Sequence, residues 1–205
     1  MKYLVLAVVF AAGYLASQLI GGTTAADPQP AKPPVANDPL ANPSIDFAAH
    51  IVAAQNAQTH RATRRLSEDD FLKASKEQGV VILDARSKAM YDLLHIEGAI
   101  NVNFSDLDVE TLKKTLPDKT TKILIYCNNN FTPAPDAPGV GQRPNQPANP
   151  MAAKAVEAFK GKGKALSLNI STYTTLYGYG YTNVYELAPL LDPTKTKLAL
   201  VSSNK

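Results

Sequence analysis

From residue 66 onward the chain alternates between short uninterrupted apolar runs and polar segments whose apolar residues recur at helical spacing. Val80-Val81-Ile82-Leu83, Ile100 to Phe104 and Lys122 to Cys127 read as strands, rich enough in aliphatic and β-branched residues to be buried on both faces. Helices are predicted between them. Ser67 with Asp70 makes a capping box and Leu66 with Phe71 the matching hydrophobic staple, so a helix should run to about Gln78 and stop at Gly79. Ser87 can open another through about Leu94, and Ser105 with Asp108 a third to about Leu116, before the Pro117-Asp118 turn. This order predicts an α/β domain with a central parallel sheet and helices on both faces.

Further elements flank that body. Ser44 can cap a helix through about His60 with Ile45, Phe47, Ile51 and Val52 as its apolar residues. Beyond the third strand, Thr132 to Pro150 contains six prolines and reads as a surface loop. Asn149-Pro150 fits an N-cap followed by proline at the first helical position, with a helix to about Lys160 and Ala155, Val156, Ala158 and Phe159 on its packing face. Asn169 or Ser171 can cap a short helix that carries Leu176 toward Gly178-Tyr179-Gly180-Tyr181. Tyr173, Tyr177, Tyr179, Tyr181 and Tyr185 are expected to pack the last helix and strand with their hydroxyls outward, a pocket lining being the alternative. Residues 193–205 read as a tail.

The first residues bear on compartment. Tyr3 to Ile20 is an apolar run of 18 residues behind Lys2, and Thr24 and Ala26 offer small residues for cleavage. Residues 1–26 therefore read as a secretory signal, with an uncleaved membrane anchor as the rival, and both place the body outside the cytoplasm, in the periplasm. Residues 27–43, with six prolines, form an extended linker. Residues 44–63 are then a helical extension and residues 64–192 the globular domain.

Composition changes the picture in two places. The net charge of +3 is spread without a basic block, which argues against nucleic acid as a partner. Cys127 is the one cysteine in 205 residues, so no disulfide can form within the chain, and a lone thiol in an exported protein is either buried or used. It stands at the carboxyl end of a predicted buried strand, where α/β domains gather their ligands. His50 and His60 are ten positions apart, a poor spacing for metal ligands on one helix face, and no metal or cofactor is expected.

Val81-Ile82-Leu83-Asp84-Ala85-Arg86, then Tyr91 with His95-Ile96-Glu97-Gly98-Ala99-Ile100-Asn101, then Ile123 to Cys127, and finally Gly180 to Leu187, together resemble the rhodanese (thiosulfate sulfurtransferase) domain. The resemblance spans about residues 64 to 192. It implies a rhodanese-like fold in which Cys127 accepts a sulfane sulfur from a donor such as thiosulfate, holds it as a persulfide and passes it to a thiol or other thiophilic acceptor. It leaves Gly98 as a turn residue and His95 as a scaffold residue. Persulfide formation needs a thiolate, which free cysteine, with a pKa of roughly 8.5, supplies sparingly at neutral pH. Amides of the following loop, a helix amino terminus and often a cation normally assist.

The chain departs from that pattern in two respects. The loop after the cysteine is Asn128-Asn129-Asn130-Phe131-Thr132, without a cation before Arg143, and Pro133 stands where a phosphatase-like loop would need arginine. Asn128, Asn129, Asn130 and Phe131 are the candidate substrate-binding residues, since successive asparagines can aim amide donors at an anion. Arg86 is the nearest motif cation, with Asp84 or Glu97 as alternative partners. The cysteine loop and its helix would need roughly twenty residues before Gly180, which leaves about thirty inserted, at about residues 132–170. That insertion is a lid or protein-docking surface in one reading and a tolerated loop in the other. Two functions stand side by side: an exported sulfurtransferase, or a rhodanese-fold binding or sensing module with a remodelled loop.

Overall fold

A computed structural model describes residues 42–132 and 150–203. The signal or anchor over residues 1–26, most of the 27–43 linker and the loop over residues 133–149 lie outside the described residues. Among the described residues no helix is long and apolar enough to cross a membrane.

Five short strands form an all-parallel sheet: β1 Arg65–Leu66, β2 Val81–Asp84, β4 Ile100–Asn101, β5 Ile123–Tyr126 and β6 Val184–Leu187. They are ordered β1-β6-β5-β2-β4. Strand alternation divides the core into two clusters. Ile82, Leu124, Tyr126 and Leu187 face Phe71, Ala155, Ala158 and Phe159, from α2 Glu68–Ala74 and from α5 Pro150–Ala158 and the residue after it. Leu83, Ile123, Ile125 and Val184 face Ala57 of α1 Phe47–Arg61, Leu112 of α4 Val109–Thr115, and Tyr173 and Leu176 of α6 Leu168–Gly178. The result is a three-layer α/β fold, a central parallel sheet with helices on both faces, as the alternation implies.

Local chemistry explains most boundaries. The Ser67 hydroxyl accepts from the Asp70 amide at 3.1 Å, and Asp108 Oδ1 accepts from the Thr111 amide at 2.7 Å. Asp108, not Ser105, therefore caps α4, and the second strand ends at Asn101, short of the expected Phe104, where a 3-10 turn over Phe104–Asp106 begins. At the first helix the cap is Asp46 rather than Ser44, accepting from the Ala49 amide at 2.8 Å. Ile45, Phe47, Ile51 and Val52 are all exposed, and Ala57 is the buried residue of α1. Helix α2 ends at Ala74, short of Gln78, and Gly79 takes φ +78 in the turn that follows.

Two features were not legible as elements. His95–Ile96 forms β3, which pairs antiparallel with β7 Leu200–Val201, and Leu198 is buried. The residues read as a tail thus complete a second, two-stranded sheet. Tyr173 and Tyr181 turn their hydroxyls inward, donating to the carbonyls of Val184 at 3.2 Å and Leu116 at 2.8 Å.

Helix α1 is held to α6 through His60, whose Nδ1 meets the Tyr173 hydroxyl at 2.9 Å, and to β6 through Arg61, which forks onto buried Glu186. Burial, with Arg64 nearby, lowers the His60 pKa below its ordinary value. The folded chain therefore favours the neutral ring. This contribution should be complete above about pH 6.5 and lost as pH falls from there through the lower folded value. Protection of the α1 amides, taken relative to their intrinsic exchange rate at each pH, should fall between pH 7.5 and pH 5.5 in the wild type, with the fall reduced in His60→Gln. An equal change in both would remove His60 as the cause.

Candidate functional site

The carboxyl ends of β2, β4 and β5 meet at one point. From β2 the chain first adds β4 on one side and then β5 on the other, which opens a crevice between the ends of β2 and β5. A cavity of about 330 Å³ lies there, lined by Arg86 and Ser87 after β2, Asn103 and Ser105 after β4, Asn128 after β5, and Lys162 and Leu168 from the inserted region.

Cys127 follows β5 directly and is 1% exposed. Its extended backbone caps a 3-10 turn over Asn128–Asn130, and its Sγ accepts from the Asn129 amide at 3.4 Å. Two further loop amides are committed within the turn. Asn130 N–H bonds the Cys127 carbonyl and Phe131 N–H the Asn128 carbonyl, both at 3.1 Å. The expected amide cradle therefore presents one donor to the sulfur among the described residues.

A second polar group reaches the thiol from far along the chain. Ser167 Oγ lies 3.3 Å from Cys127 Sγ. Ser167 is the N-cap residue of α6, yet its side chain bonds none of that helix's amides. The hydroxyl is turned to the sulfur instead. The positive end of an eleven-residue helix is thereby brought to the thiol by α6, far along the chain, and not by a helix directly after the cysteine loop.

The three asparagine side chains hold the framework around the thiol. Asn130 Oδ1 accepts from the Cys127 amide and from Asn169 Nδ2, both at 2.9 Å, while its Nδ2 donates to the Leu187 carbonyl at 2.6 Å. Asn128 Nδ2 donates to the Lys160 carbonyl at 2.6 Å. Asn129 donates to the Lys162 carbonyl at 2.7 Å and accepts the Lys162 amide at 3.1 Å. The segment from Lys160 to Ser167 is thus strapped across the cysteine loop. Phe131, expected beside substrate, is core: it is 1% exposed and stacks on Phe159 with ring centroids 4.1 Å apart.

Arg86 also belongs to the framework. It is 1% exposed and forks onto Asp84, with Nη2 to Oδ2 at 2.6 Å and Nε to Oδ1 at 2.9 Å. It donates further to the carbonyls of Ala158 at 2.8 Å and Leu94 at 2.7 Å. The Tyr126 hydroxyl donates to Asp84 at 2.5 Å, and burial pushes that phenol well above its ordinary pKa. Arg86 shapes the cavity wall, and the role expected of it as a substrate ligand is replaced by cross-linking β2, α3 Lys88–Leu93 and α5. His95 is likewise scaffold, stacked on Tyr91 with its Nδ1 2.7 Å from the Tyr91 carbonyl, and Gly98 takes φ +79 in the adjoining turn.

Ser167 and Lys162 are the site residues that motif reading missed. Ser167 carried a weak signal, a serine directly before a helical pattern, which is a preferred cap. Nothing local announced that its hydroxyl would face a cysteine forty positions earlier in the chain.

A parallel α/β sheet with a cysteine at a central strand's carboxyl end defines the class of protein. The rhodanese-like domain family model matches residues 67–140, a span that includes Cys127. Among curated proteins, a tRNA uridine(34) hydroxylase of Aster yellows witches'-broom phytoplasma is 42% identical over 65 residues, 30% of this chain. The match covers 21% of that relative's length. A rhodanese-like domain from Anabaena is 18% identical with a TM-score of 0.41, over 68% of this chain and 79% of its own. A thiosulfate sulfurtransferase from Pseudomonas aeruginosa is 18% identical with a TM-score of 0.42, over 77% of this chain and 23% of its own.

Proposed function

We propose that the protein is a sulfurtransferase in which the Cys127 thiolate takes a sulfane sulfur from a small donor and hands it to a thiophilic acceptor. The observation that carries this reading is the setting of Cys127: a lone thiol at the carboxyl end of β5, meeting the Asn129 amide and the Ser167 hydroxyl at the amino end of α6. Both can donate to a thiolate, and charge-assisted hydrogen bonds favour the ionised form. In the first half-reaction the thiolate attacks the outer sulfur of thiosulfate. A Cys–S–S bond forms, the sulfur–sulfur bond of the donor breaks, and sulfite leaves with its electron pair. In the second, a nucleophile such as cyanide takes the outer sulfur as thiocyanate and the thiolate is restored.

The strap gives this chemistry a condition. A sulfur 1% exposed must be uncovered before a donor reaches it. The same observation supports a second reading, a binding module that keeps the thiol closed. Intact mass after incubation with millimolar thiosulfate separates them: the first reading expects the gain of one sulfur atom, its removal by cyanide and its absence in Cys127→Ala. No adduct on the wild-type protein would leave the binding module.

A further inference from the structure

Helix α1 is fastened to the domain by its second half. Ala57 is buried, His60 meets Tyr173 and Arg61 meets Glu186, whereas residues 45–52 are all exposed. From Phe47 through Thr59 the helix carries no aspartate, glutamate, lysine or arginine. A helix that packs one face on its own core normally turns charge to water on the other. Here large apolar side chains are turned out instead: Phe47 is 74% exposed and Ile51 44%. Clustered exposure of this kind marks a surface built to be covered.

Helix α6 leaves it open. Between the two helices runs a groove of about 480 Å³, lined by Ile51, Ala54, Gln58 and Arg61 from α1 and by Ile170 and Tyr173 from α6. Phe47, Ile51, Ala54, Gln58 and Arg61 recur at alternating steps of four and three, the spacing of a seam between helices. The stripe is graded along its length, with large apolar side chains at the amino end, alanine in the middle, and glutamine and arginine at the carboxyl end. It therefore complements itself when a second copy lies antiparallel. With the two Ala54 residues at the crossing, Ile51 of one copy falls on Gln58 of the other, and Phe47 on the stem of Arg61. Charge matches in the same register. Asp46, at the start of α1, comes to the basic last turn of the second copy, His60 and Arg61, and the helix dipoles oppose. A parallel pairing would set Asp46 on Asp46 and Arg61 on Arg61. A lipid surface fits less well, because helices that lie on membranes carry lysine and arginine along their polar face, and Phe47 to Thr59 has neither.

We propose that the α1–α6 groove is a homodimer interface, in which α1 of each copy lies antiparallel on α1 of the other and fills its groove, with Phe47 and Ile51 as the apolar anchors. The arrangement is two-fold and closed, since each copy offers the same stripe and the same groove. It is independent of the chemistry at Cys127.

Two measurements on the full chain in dodecyl maltoside test it. Sedimentation equilibrium should show a dimer for the wild type, with a dissociation constant raised roughly tenfold or more in Ile51→Glu, which would bury a carboxylate without a partner. Val52→Glu should stay within about twofold of wild type, because Val52, although 55% exposed, stands about 100° further round the helix and off the stripe. In the second, a cysteine is introduced on a Cys127→Ser background and oxidised with copper phenanthroline. Ala54→Cys should give a covalent dimer at least about tenfold faster than Val52→Cys, since small residues facing each other at a helix crossing come within disulfide reach. A wild-type chain that stays monomeric would overturn the proposal. So would a dimer indifferent to Ile51→Glu, which would be held elsewhere, or equal cross-linking at positions 52 and 54. A monomer that binds phosphatidylglycerol vesicles less well as Ile51→Glu would give the stripe to a lipid surface instead. A monomer whose residues 1–43 exchange their amide protons faster in Ile51→Glu would give the groove to the chain's own first segment, and either result would replace the dimer.

Discussion

Replacing Arg86 by alanine should cost about 3–5 kcal/mol of folding stability, the largest single effect expected in this chain, because it removes one partner of a fully buried ion pair. Asp84 is 0% exposed and would be left with its charge, the Tyr126 hydroxyl and the Arg86 backbone amide as compensation. The carbonyls of Ala158 and Leu94 would lose their donors at the same time. The guanidinium also lies 4.8 Å from the Phe159 ring centroid, so its removal opens space beneath α5 as well as breaking hydrogen bonds. Arg86→Lys should recover only part of the loss, since an ammonium cannot reproduce the planar fork. Adding Asp84→Ala to Arg86→Ala should recover some too, by removing the stranded charge. Urea denaturation of the four proteins measures this. A loss under about 1 kcal/mol for Arg86→Ala would show that the pair contributes little and that water enters the site freely.

Asn130→Ala should have the second largest effect and should act on stability and on sulfur chemistry together. The side chain closes the cysteine loop by accepting the Cys127 amide, fixes α6 through Asn169 and ties the loop to the end of β6 through the Leu187 carbonyl. Truncation strands three buried polar groups. The expected loss is about 2–4 kcal/mol, less than three separate penalties because water can enter the space vacated. Persulfide loading from thiosulfate should fall by about a hundredfold or more, because the turn that aims the Asn129 amide at the sulfur depends on this closure. Asn130→Asp is the discriminating variant. It keeps both acceptor contacts but cannot donate to Leu187, so it should preserve the turn better than alanine while still destabilising the chain. Alanine and aspartate variants that both load like wild type would mean that the turn holds without Asn130.

The effects on Arg86 and Asn130 illustrate what motif reading could and could not resolve. The Asp84-Ala85-Arg86 motif was visible after a strand. Whether its cation faced substrate or core was decided by Ala158 and Phe159, which arrive from the end of α5, far along the chain. The run of asparagines was likewise visible, but their amides turned to the backbone of Lys160, Lys162 and Leu187 instead of opening toward a ligand. Asparagine side chains bond whichever carbonyl tertiary packing brings within reach, and that carbonyl is not encoded nearby. Phe131 shows the same limit: an aromatic beside a reactive cysteine reads as a pocket wall until Phe159 is found stacked on it.

The apolar runs, the capping residues Ser67 and Ser87, the turn glycines Gly79 and Gly98 and the position of Cys127 at a strand end were determined by the sequence alone. Their signals are local: periodicity, caps and positive φ depend on near neighbours. Tertiary structure alone decided that β7 pairs with β3, that α1 is capped by Asp46 with its large apolar residues exposed, and that Ser167 and Lys162 meet the cysteine loop. The reason is the distance along the chain. Ser167 reaches Cys127 only because α5 and α6 pack on opposite faces of one sheet and draw the segment between them across the strand ends, a constraint set by burying two apolar helix faces and not by any motif near the thiol.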